Sequence, residues 1–157
     1  MEIRLATSSD AHDIHSIILD AYSEYKDIPG SSSALDETAD SIQESIKLGK
    51  ENALLGLVDR SVIACVRYSF KDGMYFYRLA VRRDWQGKGL AKLLLSHLES
   101  LAMVERQPKI WCKVRYSVPR NVYLYQSLGY VKSDEELVHK DDGVALEVWT
   151  MSKVFSA

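Results

Sequence analysis

The sequence predicts an α/β (α+β) domain in which a mixed, mostly antiparallel sheet of about six to seven strands is flanked by about four helices. Three observations predict it. Helix signals recur in four windows; the apolar pattern switches to that of strands from Ala53 onward; and Gly87 and Gly89 stand between an apolar strand and a helix. The resulting order is β α α β β β α β α β β. With 157 residues, 46% of them hydrophobic, the chain fits one domain over 1–157 whose core needs neither metal nor crosslinks.

Ile3 to Ala6 reads as a short strand. A helix is expected from near Asp10, with Asp13 as its capping partner and Ile14, Ile17, Ile18 and Ala21 on one apolar face. Lys26 to Ser33, with Pro29, Gly30 and a run of serines, has loop composition. It leads to a second helix from about Ser33 to Lys47, where Ser33 and Asp36 stand at capping-box spacing. Ala53–Val58, Val62–Phe70 and Met74–Val81 are β-branched or aromatic runs separated by polar turns, which gives two hairpins in succession. Leu90, Leu93, Leu94, Leu98 and Leu101 then predict a helix from Gly89 to about Glu105. A strand Lys109–Val114 follows. A shorter helix starts near Pro119, whose missing N–H is harmless there, and stops at Gly129. Tyr130–His139 and Ala145–Ser152 pair across the turn from Lys140 to Gly143.

Composition excludes several functions. Twenty Lys+Arg against 22 Asp+Glu give a net charge of −2, without the basic field that nucleic acid or an anionic membrane surface calls for. Cys65 and Cys112 sit singly in apolar runs, as buried thiols of a reducing compartment do, and no metal site is expected. Met1 to Asp10 lacks a basic region followed by an apolar stretch, and no segment approaches the ~18 apolar residues of a membrane span. A cytoplasmic protein with a small partner is the expectation.

The stretch from Leu79 to Ala91 carries the most chemistry. Gly87 and Gly89 let the backbone bend with its N–H groups turned inward, and the next helix adds unpaired donors and a positive dipole end. This is an anion cradle suited to a phosphate-bearing ligand. A dinucleotide-binding fingerprint fails, since Lys92 stands where a third glycine is needed and the preceding strand lies in a meander. A P-loop fails for want of the four-residue spacer and the Ser/Thr after lysine.

What remains is Gln86-x-x-Gly89-x-Ala91 after Leu79-Ala80-Val81, together with Tyr125-Gln126-Ser127-Leu128-Gly129-Tyr130. With these two segments the chain resembles the GCN5-related N-acetyltransferase (GNAT) superfamily. The likeness covers essentially the whole chain, including the opening Ile3-Arg4-Leu5-Ala6-Thr7 and the closing Val148-Trp149-Thr150-Met151-Ser152-Lys153.

The resemblance implies the GNAT acyltransferase fold and an acetyl-CoA-dependent N-acetyltransferase. It implies that backbone N–H groups around Gln86, Gly87, Lys88, Gly89, Leu90 and Ala91 hold the pyrophosphate of acetyl-CoA. Arg83 and Lys88 are long cations suited to phosphate oxygens. The strands Met74–Val81 and Ile110–Val114 are expected to splay around the pantetheine arm, with Val81 and Leu79 offering backbone groups to the arm and the thioester carbonyl. Tyr125 matches the tyrosine that faces the sulfur; a phenol of ordinary pKa ~10 gives a proton to a departing thiolate while staying neutral. Neighbouring Tyr123 falls on another helix face. The family often places an asparagine where this chain has Val118, whereas Asn121 stands one turn above Tyr125 on the same face, either to contact the pantetheine by a different route or as a polar residue of the helix's first turn.

An amine must lose its proton before it attacks, because at an ordinary pKa of ~10.4 it is almost wholly protonated. Many relatives place a glutamate on the strand before the cradle. Here that strand reads Met74-Tyr75-Phe76-Tyr77-Arg78, without a carboxylate. Glu24 and Glu147, acting through water, are the candidate bases, with His15 and His139 behind them. Tyr75 and Tyr77 alternate onto one face, where they line an acceptor pocket or pack in the core; a bulge would change that alternation. Direct transfer in a ternary complex is expected, with an N–H at Val81 stabilising the developing oxyanion and no covalent intermediate on Cys65 or Cys112. The acceptor is an amine of a small molecule or peptide, and a homodimer is compatible with the family. The competing expectations are a non-catalytic acyl-CoA-binding regulatory module and an interaction subunit that binds no cofactor.

Overall fold

The structure, a computed structural model, describes residues 1–23 and 33–155. Its strands are β1 (Glu2–Leu5), β2 (Asn52–Val58), β3 (Ser61–Phe70), β4 (Met74–Val81), β5 (Lys109–Arg115), β6 (Val131–His139) and β7 (Ala145–Val154). The α-helices are α1 (Ala11–Tyr22), α2 (Ala39–Lys47), α3 (Leu90–Val104) and α4 (Pro119–Ser127), with short 3-10 turns at Ser8–Asp10, Ser33–Asp36 and Arg83–Trp85. The mixed sheet runs β1-β2-β3-β4-β5-β7-β6. Its described neighbours are antiparallel except β4 and β5. The predicted element order and fold class are the ones observed.

Each face of the sheet has its own core. On one, Leu94, Leu95, Leu98 and Ala102 of α3 and Val122 and Tyr125 of α4 pack on Phe76, Ile110, Cys112 and Met151. On the other, Ile14, Ile17 and Ile18 of α1 and Ile42 of α2 pack on Leu55, Cys65 and Ala80. The three α1 isoleucines are wholly buried, each contributing roughly 1.5–3 kcal/mol. Both cysteines are free and buried, and burial pushes the Cys65 thiol up to about 12.

The first helix begins near Asp10 as predicted, but its capping differs, and the second helix starts later than predicted. The Asp10 carboxylate makes no capping bond at the start of α1; it accepts two bonds from the Arg4 guanidinium at 3.0 Å and one from the Thr7 N–H at 2.8 Å. That engagement closes a 3-10 turn before α1, and the Arg4 bonds hold the Asp10 carboxyl below its usual range. The predicted helix from Ser33 divides into the 3-10 turn and α2, which Thr38 caps by accepting from the Ser41 N–H at 3.1 Å. The break falls at Glu37, whose carboxylate is drawn to Arg67 and Arg78 while its carbonyl meets His15 Nε2 at 2.8 Å. The predicted loop Lys26–Ser33 lies, up to Ser33, outside the described residues.

Candidate active site

The parallel pairing of β4 with β5 is confined to Met74 with Ile110 and Tyr75 with Trp111. Beyond it the strands diverge. A bulge between Cys65 and Arg67 in the β3–β4 register coincides with Arg78 in the left-handed region, at φ 53°. The gap opens into a cavity of about 190 Å³ lined by Leu79, Asn121 and Tyr125 together with Tyr75 and Tyr77. The helical spacing of Asn121 and Tyr125 therefore brings both to one place.

Tyr125 is buried, 8% exposed, with its ring edge-on to Phe76 at 5.7 Å and Tyr130 at 5.9 Å, whereas Tyr123 is 74% exposed. Burial within aromatic neighbours fixes the phenol ring on a well-packed base. Tyr75 stacks on Tyr77 at 5.1 Å and on Trp111 at 4.3 Å, so one face of the gap is aromatic. The Tyr22 hydroxyl donates to the Leu79 carbonyl at 3.0 Å, which ties the end of α1 to the bulge.

Val81 lies further along β4. Arg82 donates its N–H to the Ile63 carbonyl at 2.8 Å, and antiparallel alternation then turns the Val81 amide away from β3, toward the side where β5 has diverged. The Val81 carbonyl accepts from Gln86 Nε2 at 3.0 Å, which holds the glycine turn against the strand. Gly87 and Gly89 have φ of 79° and 76°, conformations in which glycine avoids strain, and a Cβ on either would meet nothing within 4 Å.

Gly89 is the left-handed N-cap of α3, without a capping side chain and without an acidic residue in the first turn. The N–H of Leu93 bonds to the Gly89 carbonyl at 3.2 Å, so those of Leu90, Ala91 and Lys92 precede the first intrahelical bond. A helix end with open space above it, glycine at its cap and no acidic residue in its first turn fits a diphosphate. Lys88 Nζ stands 4.8 Å over the Trp85 ring, while Arg83 is directed to α1, its N–H on Asp20 at 2.8 Å and Nη1 on Ser23 at 3.3 Å.

The candidate bases are not brought to the cavity lining. Glu147 is exposed on β7 and accepts from the Trp149 indole at 3.0 Å; His139 is exposed on β6; His15 contacts the Glu37 carbonyl. Glu24 lies outside the described residues.

Sequence reasoning missed a charged network behind the aromatic wall. Buried Arg67 on β3 donates to Glu51 at 2.9 and 3.0 Å and to Glu37 at 2.8 Å, and Arg78 Nε donates to Glu37 at 2.9 Å. The Tyr77 hydroxyl donates to Glu51. Burial raises the Tyr77 phenol and the bond to Glu51 raises it further. Burial works against ionisation of Glu37, but Arg67 and Arg78 outweigh it and hold the carboxyl below its ordinary value. The available signal was Arg67 itself, a lone charge inside an apolar strand that has to find partners. Also missed were Lys113 and Arg115, which line the cavity from β5.

Residues 12–130 match the Acetyltransferase (GNAT) family. A [ribosomal protein bS18]-alanine N-acetyltransferase of Salmonella typhimurium is 30% identical over 79 residues, 50% of this chain and 53% of that protein, so the match spans about half the length of that curated relative. The PaiA N-acetyltransferase of Thermoplasma acidophilum, solved with coenzyme A, is 13% identical with a TM-score of 0.79 over 99% of this chain and 100% of that one. The Salmonella typhimurium protein yncA, solved with its cofactor acetyl-CoA, is 20% identical with a TM-score of 0.78 over 100% of this chain and 95% of that one. Those two likenesses carry the fold, and the family match covers well over half of the sequence: the chain belongs to the Acetyltransferase (GNAT) family.

Proposed function

We propose that this protein, acting as one domain over 1–157, transfers the acetyl group of acetyl-CoA directly to an amine nitrogen of a small molecule or peptide within a ternary complex. The observation that carries the reading is the divergence of β4 from β5, which leaves a cavity lined by Tyr125 of α4, with an uncapped helix terminus following the far end of β4. When bound, acetyl-CoA supplies an acetyl group already activated as a thioester.

In this reading the N–H groups from Gln86 to Ala91 hold the diphosphate, with Lys88 and Arg83 adding charge around it. Leu79, Val81 and Asn121 orient the pantetheine arm, and the Val81 N–H stands where negative charge develops on the carbonyl oxygen. Losing such a donor costs roughly 3 kcal/mol in other enzymes. Tyr125 keeps a proton at Oη for the departing sulfur. The described cavity lining holds three cations, Arg78, Lys113 and Arg115, and no carboxylate. With no carboxylate in the described lining, the acceptor has to arrive as the neutral amine or give its proton to water.

The lack of a lining carboxylate also favours a second reading, a non-catalytic acyl-CoA-binding module with the same fold. Incubating the protein with acetyl-CoA and a panel of amines, amino acids and peptides, while following thiol release, separates the two. Release with at least one acceptor supports transfer; tight acetyl-CoA binding with no release across the panel supports the module.

A further inference from the structure

Resting on the acetyl-transfer reading, we propose that the acceptor amine carries an anionic group, a carboxylate, which the cations lining the cavity recognise. The carboxylate belongs either to a free amino acid or to an acidic residue beside the amine of a peptide.

The argument begins with the sheet. On β5, Ile110, Cys112 and Val114 enter the core under α3 and α4, so alternation sends Trp111, Lys113 and Arg115 to the opposite face. Phe76 of β4 belongs to that same core, which puts Tyr75 and Tyr77 on the face of Trp111; their stacking agrees. This is the face on which α1 packs and from which Tyr22 reaches the bulge. Arg78 joins the group because its bulged, left-handed backbone interrupts the alternation.

A molecule entering from this side meets an aromatic wall and three cationic side chains. Arg78 and Lys113 pair with carboxylates that are outside the described lining: Glu37 accepts from Arg78 at 2.9 Å and Glu136 from Lys113 at 2.9 Å. Arg78 is held in place by the Glu37 bond, and Glu37 in turn by Arg67, so this guanidinium is presented at a fixed point instead of sweeping through solvent. The diphosphate cradle is elsewhere, at residues 86–91, none of which lines this cavity. Such a lining matches an anionic acceptor and repels a polycationic one.

The test compares acceptors that differ only in charge, with acetyl-CoA saturating: free L-amino acids against their C-terminal amides, tripeptides with Asp or Glu at the second position against the Asn or Gln versions, and spermidine. The proposal expects kcat/KM for the carboxylate member of one pair to exceed its neutral partner by about tenfold or more, with spermidine poorest. The pair showing the preference identifies the source, free amino acid or acidic peptide. The double variant Lys113→Met with Arg115→Met should bring that ratio to within about threefold while acetyl-CoA affinity, measured by calorimetry, stays near wild type. Equal use of both members, or preference for spermidine, overturns the proposal and leaves acetyl transfer standing. A large loss of acetyl-CoA affinity in the double variant assigns the cations to the cofactor and likewise overturns it. No thiol release with any acceptor removes the acetyl-transfer reading and this proposal with it.

Discussion

Tyr125 and Gly89 separate the two tasks that the proposed reaction sets. The Tyr125 ring is wedged between Phe76 and Tyr130, so Tyr125→Phe keeps the packing and removes only the hydroxyl. Turnover in that variant should fall by about a hundredfold or more, with acetyl-CoA affinity within about threefold of wild type, as read by thiol release and calorimetry. Unchanged turnover would take the proton-donor role away from this residue. Gly89→Asp acts on binding instead. A carboxylate at a helix N-terminus favours the helix by about 0.3–1 kcal/mol, while the left-handed conformation at φ 76° costs roughly 1–2 kcal/mol for a residue with a Cβ. The balance is a loss of about 1 kcal/mol, so the melting temperature of the free protein should fall by only about 2–4 °C while acetyl-CoA affinity drops through repulsion of the diphosphate. Affinity equal to wild type would move the cradle away from this turn.

The join between the first two helices shows why some elements were legible in sequence and others were not. The sequence predicts β4 with its observed bounds, and α3 and α4 within a residue or two, because each announces itself locally: a run of β-branched and aromatic residues, leucines at helical spacing, a proline at one end and a glycine beyond the other. The glycine turn and the Asn121–Tyr125 pair were legible for the same reason. The break between the 3-10 turn at Ser33–Asp36 and α2 was not, because Glu37 is claimed by partners 30 and 41 residues away, Arg67 and Arg78. Distant pairing overrides a local capping pattern. The cationic lining was missed because the bulge at Arg78 breaks strand alternation and Lys113 and Arg115 meet it only through the sheet order. This join carries its own pH dependence. The Glu37 carboxyl is held below its ordinary value near 4.5, so its contribution is fully present above that value and is lost as pH falls through the lower folded one. Thermal melts between pH 6 and pH 3 should show Glu37→Gln less stable than wild type at the upper end, the gap closing toward the lower; a gap that stays constant would mean that Glu37 acts by packing alone.

For the molecule as a whole, the divergence of β4 and β5 is a defect in an otherwise continuous sheet, and it has to be held open. On one side α3 and α4 fill the space with Leu94, Leu98, Val122 and Tyr125; on the other α1 packs across β3 and β4 and anchors Leu79 through Tyr22. Neither layer closes the gap itself, since a cavity remains between the strands. A ligand that spans from the α3 terminus into that gap contacts residues from β4, α3 and α4 at once, and it binds only when all three are assembled. Binding to the folded state alone stabilises it by about 2.7 kcal/mol at a hundred times Kd. For a chain of this length each kcal/mol shifts Tm by about 2–4 °C. Coenzyme A at that excess should therefore raise Tm by roughly 5–10 °C, and a Tyr22→Phe variant, which frees the Leu79 carbonyl from α1, should show a smaller rise because part of the binding energy goes to reordering the bulge. Scanning calorimetry with and without coenzyme A reads both. An equal rise in the two proteins would mean that the α1 anchor does not preorganise the gap, and no rise in either would mean that the divergent strands hold something other than coenzyme A.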